Sequence, residues 1–241
     1  MLRLCNITLL AADVASKPQA TPQYRISEAR VNIPATLGLI LAGGRARRLG
    51  GGDKARIRIG EKTILERALA TLTSQCSQVI INANGDPSRF ADTGLCVVAD
   101  SVPDYAGPLA GILAGLDWAA DHAPKIAWMV SAPSDCPFLP PDLVARLHRA
   151  RIDGGVPLAC AASAQRRHPV VALWPLSLRA DLRRALLNDS VRKVESWTAG
   201  HGIAVAAWPT SPVDPFFNVN TAEDVAAANR LAAQLPKSET K

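Results

Sequence analysis

Short apolar runs that stop at glycine or at a small polar residue limit what this chain can become, and the most constraining is Leu37–Arg58, LGLILAGGRARRLGGGDKARIR. Leu39–Ala42, with Leu37 before it, is a four-residue apolar run bounded by glycine, which predicts a short buried strand rather than a helix fragment. It runs straight into Gly43-Gly44, and Gly50-Gly51-Gly52 follows after five further residues. Around these clusters lie Arg45, Arg47, Arg48, Lys54, Arg56 and Arg58, against a single acid, Asp53. Glycine lets backbone amides approach a ligand closely, and a nest of such amides attracts anions. Taken alone, a glycine-rich turn with a solvated basic face is the plainer reading. The coincidence of strand, paired glycine clusters and cations predicts a polyphosphate loop instead.

The loop is neither of two familiar phosphate loops. After Gly52 comes Asp53-Lys54-Ala55, which excludes G-x-x-x-x-G-K-[ST], and G-x-G-x-x-G is absent. Downstream, strand and helix patterns alternate. Thr63–Glu66 has the form of a capping box, and Ile64, Leu65, Ala68, Leu69 and Leu72 share one helical face. Val79–Ile81 and Cys96–Ala99 read as buried strands that end near Asn82 and Asp100. Gly107-Pro108 opens a helix, and a strand over Ile126–Val130 leads to Asp135. Pro140-Pro141-Asp142 starts the next helix.

Further strands are expected over Pro157–Ala162, Pro169–Trp174 and Ile203–Trp208, with helices over Leu176–Leu187 and Val191–Ala199. Thr221–Asp224 caps a last, alanine-rich helix. Such alternation predicts a mostly parallel sheet with helices on both faces, a three-layer α/β/α sandwich of Rossmann-like type. In such sheets ligands bind beyond the carboxyl ends of the strands, where Gly43-Gly44, Asn82, Asp100 and Asp135 fall.

Composition narrows the partners. The chain has 241 residues, 48% of them hydrophobic, enough for a sizeable core, and no run reaches the ~18 apolar residues of a membrane span. A net charge of +6 suits anionic ligands. Nucleic acid is disfavoured, because the charge concentrates in the loop and aromatic stacking residues are few. Five widely spaced cysteines without a C-x-x-C pair argue against a disulfide framework or structural zinc, and a reducing cytoplasm is the expected home. The first residues imitate a signal peptide poorly, since Cys5-Asn6 and Thr8 break the apolar run.

The motif L-A-G-G-x-x-x-R-x-G-G-x-D-K, from Leu41 to Lys54, resembles that of the molybdenum cofactor guanylyltransferase family. The resemblance extends from about Leu37 to near Leu231. It divides the chain into an extension over residues 1–36, expected to be ill-ordered, a nucleotidyltransferase domain over 37–235 and a polar tail over 236–241. It implies transfer of GMP from GTP to molybdenum-molybdopterin, with Mg²⁺ as cofactor. Molybdenum-insertion proteins and molybdoenzyme chaperones are expected as further partners.

Residue by residue, the resemblance implies GTP contacts from Leu41, Ala42, Gly43, Gly44, Lys54, Asn82, Asp100 and Asp135. Lys54 and Arg48 would balance charge on the phosphates, and Asp135 would carry the metal. Arg166, His168, Asn218 and Asn220 would face the pterin substrate. Each has a plainer reading. Asp135 could cap a turn, Asn82 could form an Asx-turn, His168 could be structural, and the two asparagines could cap the following helix. Gly107, Pro108 and Gly111 match the family's G-P-L-A-G segment, where glycine could admit a ligand or permit tight helix packing. The form Ala42-Gly43-Gly44 points to GTP over CTP, because little side-chain bulk leaves room for a purine. Alternatives are a cytidylyl- or sugar-phosphate nucleotidyltransferase, or a GTP-binding cofactor-delivery protein without catalysis.

Overall fold

The computed structural model describes residues 33–43, 54–102 and 107–235. Its elements are β1 (Thr36–Leu41), β2 (Arg58–Ile59), β3 (Lys62–Thr63), α1 (Ile64–Thr73), β4 (Gln78–Asn82), β5 (Val97–Val98) and α2 (Pro108–His122). There follow β6 (Trp128–Pro133), α3 (Leu143–Gly154), β7 (Leu158–Ser163), β8 (Arg166–Pro175), α4 (Arg179–Leu187), α5 (Val194–Thr198), β9 (Ile203–Ala207) and α6 (Ala222–Gln234). Seven strands form one sheet in the order β5-β4-β1-β6-β8-β7-β9. β8 is antiparallel to both its neighbours, while every other pairing in this sheet is parallel. The expected mostly parallel α/β sandwich is therefore the observed fold.

β1 is apolar from Leu37 onward because both its faces are covered, the usual condition of a central parallel strand. Leu37 and Leu39 pack with Leu109, Ile112, Leu113 and Leu116 of α2 on one side. Ile40 and Ala42 pack with Leu65, Ala68 and Leu72 of α1 on the other. A third cluster, with Ile59, Ile64, Phe138, Val219 and Ala228 buried, joins the β2–β3 hairpin to α6. Burying one such aliphatic side chain stabilises by roughly 1.5–3 kcal/mol, so this small cluster suffices to hold two distant chain segments together. Gly60, with φ +64°, turns the hairpin, and its N–H donates to Asn229 Oδ1 of α6 at 2.8 Å.

The predicted caps form. Thr63 accepts from the Glu66 amide and Glu66 from that of Thr63, and Thr221 and Asp224 repeat the arrangement before α6. α5 is shorter than the expected Val191–Ala199. Two features of β8 depart from regular geometry. Ala164 and Gln165, at φ 46° and 61°, make a tight β7–β8 turn without glycine. Farther along, Cys160 pairs with Ala172 but Ala161 with His168, so residues 169–171 bulge out of the ladder. Ser131 holds the bulge: its hydroxyl donates to Val170 O at 2.6 Å and accepts from Trp174 Nε1 at 2.7 Å.

Among the described residues, no helix is long and apolar enough to cross a membrane. His148 of α3 ties the helix to β1. Thr36 gives its hydroxyl proton to Pro34 O at 2.8 Å, so it accepts from His148 Nε2 at 2.8 Å, and Arg151 Nε donates to Nδ1 at 3.2 Å. Only the neutral Nε2–H imidazole satisfies both partners. Burial, and then the Arg151 guanidinium, lower its pKa from 6.5 to about 4.

The unfolded chain therefore takes up this proton near pH 6.5 and the folded chain only near 4. Stability contributed by the neutral imidazole is lost as pH falls through that window, by at most about 1.4 kcal/mol per unit. His148→Gln is expected to flatten the urea-stability profile between pH 6.5 and 4. An unchanged slope would show that His148 carries none of it.

Candidate active site

From β1 the chain steps outward through α1 to β4 and β5, and α2 then returns it across β1 to β6. The strand order reverses between β1 and β6, and in open α/β sheets the crevice at such a switch point is where ligands bind. A cleft of about 540 Å³ opens at that point, lined by Leu41, Gly43, Lys54, Asn82, Asp100 and Asp135 among others. All six are residues that the sequence pointed to. Ala42 is buried beside them, its N–H donating to Asn82 O at 2.8 Å. Gly44 and Arg48, also expected in this site, lie outside the described residues, as do Arg45, Arg47 and Asp104.

Two clusters of polar groups reach the cleft, the first through Lys54 and Asp135, the second through Asn82, Asn84 and Asp100. Asn218 and Asn220 stand behind the first, outside the lining. In the first, Lys54 Nζ donates to Asp135 Oδ2 at 2.7 Å and to Asn220 Oδ1 at 2.5 Å. Lys54 is nearly buried, with 9% of its surface exposed. Lys54 and Asn220 are 166 positions apart. The third hydrophobic cluster brings them together, since Lys54 begins a short turn before β2 and Asn220 directly precedes α6. Val219 N donates to Asp135 O at 3.0 Å, and Cys136 Sγ donates to Asn218 Oδ1 at 2.9 Å. Burial raises the Cys136 pKa well above that of an ordinary thiol, so the sulfur keeps its proton for this bond. Asn218 and Asn220 thus point to the same side of an extended segment, toward the Asp135-Cys136 loop. Neither caps the helix; Thr221 does that.

In the second cluster the Asn82 side chain, 5% exposed, donates through Nδ2 to Val98 O at 3.2 Å and to Asp100 Oδ1 at 2.9 Å. Asn84 also binds Asp100. Its one visible signal is the spacing Asn82-Ala83-Asn84, which puts two amides on one face of a strand end. Gly111 explains itself by distance. A Cβ at this position would stand 2.2 Å from Asn82 Oδ1 and 2.8 Å from Leu41 Cδ2. The glycine of this helix admits the Asn82 side chain. Gly43 is different, because a Cβ there would meet nothing within 4 Å among the described residues.

Arg166 and His168 stand near the start of β8, beside Ser163 and Arg167, and neither lines the cleft; Val170, in the bulge, is the β8 residue that does. Arg166 is exposed. His168 Nε2 lies 2.8 Å from Ser163 Oγ, and the ring rests on Phe216 with centroids 4.8 Å apart. Burial lowers its pKa, so the imidazole is neutral at pH 7.

Among the described residues no group of three or more His, Cys, Asp or Glu side chains could hold a metal ion. Asp100 and Asp135 are the described carboxylates that line the cleft; two amide groups hold the first, and a cation, the Lys54 ammonium, rests on Oδ2 of the second. That donor set fits Mg²⁺, which takes one or two carboxylates and completes its shell with phosphate oxygens and water. It does not fit a closed protein cage.

The model of the MobA-like NTP transferase domain matches residues 38–205. The chain is 58% identical over 203 residues to the molybdenum cofactor guanylyltransferase of Nitrobacter hamburgensis, covering 84% of this chain and 97% of that protein. It is equally identical to the one from Rhodopseudomonas palustris strain HaA2, over 84% of this chain and 95% of the relative.

Solved structures share the fold at lower identity. The molybdopterin-guanine dinucleotide biosynthesis protein A of Archaeoglobus fulgidus aligns with a TM-score of 0.63 and 22% identity, over 83% of this chain and 100% of that one. A Mycobacterium tuberculosis protein solved with manganese aligns at 0.59 and 17%, over 82% of this chain and 98% of that one. On the family match and the sustained identity with these relatives, the chain belongs to the molybdenum cofactor guanylyltransferase family of nucleotidyltransferases.

Proposed function

We propose that the protein transfers GMP from GTP to the terminal phosphate of molybdenum-molybdopterin, releasing pyrophosphate. The observation that carries this is the convergence of Lys54, Asp135 and Asn220 at the switch-point cleft of a chain 58% identical to guanylyltransferases. An oxygen of the pterin phosphate forms a bond to the α-phosphorus of GTP. The bond from that phosphorus to the oxygen leading to the β-phosphate breaks, and pyrophosphate leaves with its electron pair. A phosphate monoester has a second pKa of about 6, so the nucleophile is already an anion at neutral pH and needs no general base. Positioning and charge compensation are what the protein must supply.

Asp135 is the residue to hold a divalent ion, magnesium in this proposal. When bound, the ion supplies charge neutralisation on the phosphate oxygens. Lys54 reaches the triphosphate by leaving Asp135, exchanging one anionic partner for another. Loop amides at Gly43 and Gly44 hold the phosphate tail, beyond the Ala42 N–H already spent on Asn82 O, and Arg48 balances charge on the departing pyrophosphate. Asn82 and Asp100 bind the nucleoside part. Arg166, His168 and Asn218 belong to the pterin side, with His168 acting there as a neutral hydrogen-bonding group. Gly43 meets no described residue that a side chain would strike, which supports room for a purine. Handover of the pterin from insertion proteins, and of the product to molybdoenzyme chaperones in the cytoplasm, completes the proposal.

Pyrophosphate release measured with molybdenum-molybdopterin and GTP, CTP or ATP tests it. Turnover is expected with GTP, at least about 100-fold above CTP, as for a site built around a hydrogen-bonded base edge. Preferred use of CTP would assign the protein to the cytidylyl branch. GTP binding without pyrophosphate release would make it a delivery protein.

A further inference from the structure

The sheet ends early on the Asp100 side. β5 contributes only two residues to the ladder, Val97 opposite Ile81 and Val98 opposite Asn82. One more backbone bond, Ala83 N to Val98 O at 3.0 Å, closes it. Asp100 lies two residues beyond, on an edge strand where no ladder bond fixes it. The Asn84 side chain holds it instead. Its Oδ1 accepts from Asp100 N at 2.9 Å and its Nδ2 donates to Asp100 Oδ2 at 2.8 Å. Asn82 Nδ2 binds the other carboxylate oxygen, Oδ1, at 2.9 Å. Each oxygen of Asp100 thus has one amide donor, which fixes the carboxylate plane and leaves acceptor capacity on both. Both asparagines and Asp100 line the cleft. An exposed asparagine that spends both polar ends on one residue is a brace.

We propose that Asn84 is a positioning residue for nucleotide selection: it holds Asp100 as a rigid pair of acceptors for two adjacent donors on the nucleoside. The inference rests on the guanylyl-transfer reading above. Two parts of GTP present such a pair. Guanine does so through N1–H and its 2-amino group, whereas adenine and cytosine each place a ring acceptor beside their single donor group. The ribose does so through its 2′- and 3′-hydroxyls. A carboxylate free to rotate would serve one donor at a time; a braced one rewards both together.

The test is steady-state pyrophosphate release by the full chain with GTP, with ITP (which lacks the 2-amino group) and with 2′-deoxy-GTP. Asn84→Ala should raise KM for GTP about 10-fold with kcat within about 3-fold, the scale of one lost charge-assisted hydrogen bond. The preference for GTP over one of the two analogues should fall by about the same factor. A fall against ITP identifies the base edge as the ligand of Asp100, and a fall against 2′-deoxy-GTP identifies the ribose. Asn84→Asp keeps the acceptor for Asp100 N–H but sets an anion against Oδ2, and should do worse than alanine.

A purely structural role would lower thermal stability and depress all three nucleotides equally. That result, or unaltered KM and ratios in Asn84→Ala, would overturn the assignment. Failure of the underlying reading would look different: the unsubstituted protein would release no pyrophosphate from GTP.

Discussion

Lys54→Met is expected to cut pyrophosphate release from GTP by about 10³-fold while leaving the fold intact, the scale on which preorganised charge stabilises a transition state. The ammonium is the one described cation among the cleft-lining residues, and in the absence of nucleotide it is held on Asp135 and Asn220. Methionine preserves the length and apolar stem of the nearly buried side chain, so packing survives. Asp135 keeps a fifth of its side chain in water. That exposure lessens, without removing, the roughly 3–5 kcal/mol that an unpartnered charge costs in a fully buried pair.

Asp135→Asn should lose as much rate for another reason. An amide is a poor ligand for Mg²⁺, so the magnesium concentration giving half-maximal rate should rise about 10-fold or more. Lys54→Met should leave that concentration near its original value. Rate measurements over a magnesium titration, with circular dichroism to verify folding, separate the two. Retention of most activity in Lys54→Met would remove the lysine from the reaction.

What could be read from the sequence follows the range of the interactions involved. β6 runs to Pro133, three residues past the expected Val130, whereas strand ends near Ala42 and Asn82 were legible because an apolar run followed by glycine or asparagine is a local signal. The same holds for the caps at Thr63 and Thr221, which are closed within four residues. The direction of β8 was not legible. Reversal there is decided by pairing with β6 and β7, and the bulge at residues 169–171 disguised its length. Nor was the link from Lys54 to Asn220, which depends on Ile59, Ile64, Phe138, Val219 and Ala228 packing together across the chain. Asn84 was hidden by its company: in Asn82-Ala83-Asn84-Gly85-Asp86-Pro87 every residue but Ala83 is an ordinary turn former, and only the position of Asp100 separates a brace from a loop. The two readings of Gly111 differed by a distance, and distances are not in a sequence.

That distance gives the second large effect. Gly111→Ala should raise KM for GTP at least about 10-fold, although alanine is the better helix former by ~1 kcal/mol. The added methyl would lie 2.2 Å from Asn82 Oδ1 and 2.8 Å from Asn82 Cγ and Leu41 Cδ2. Either α2 withdraws from the sheet, with an overpacking cost of ~1–3 kcal/mol, or Asn82 rotates and abandons Val98 O and Asp100 Oδ1. Both routes disturb the nucleoside end of the cleft. Propensity offsets part of the overpacking, so the net loss of stability should be no more than about 2 kcal/mol.

Gly115, one turn along α2, supplies the comparison. A methyl there meets Leu39 Cδ2 and Met129 Sδ, each at 2.8 Å, the far ends of core side chains that do not line the cleft. Gly115→Ala should therefore lose comparable stability in urea and keep the original KM. If both variants weaken GTP equally, general loosening of α2 is the cause, and Gly111 has no particular bearing on Asn82.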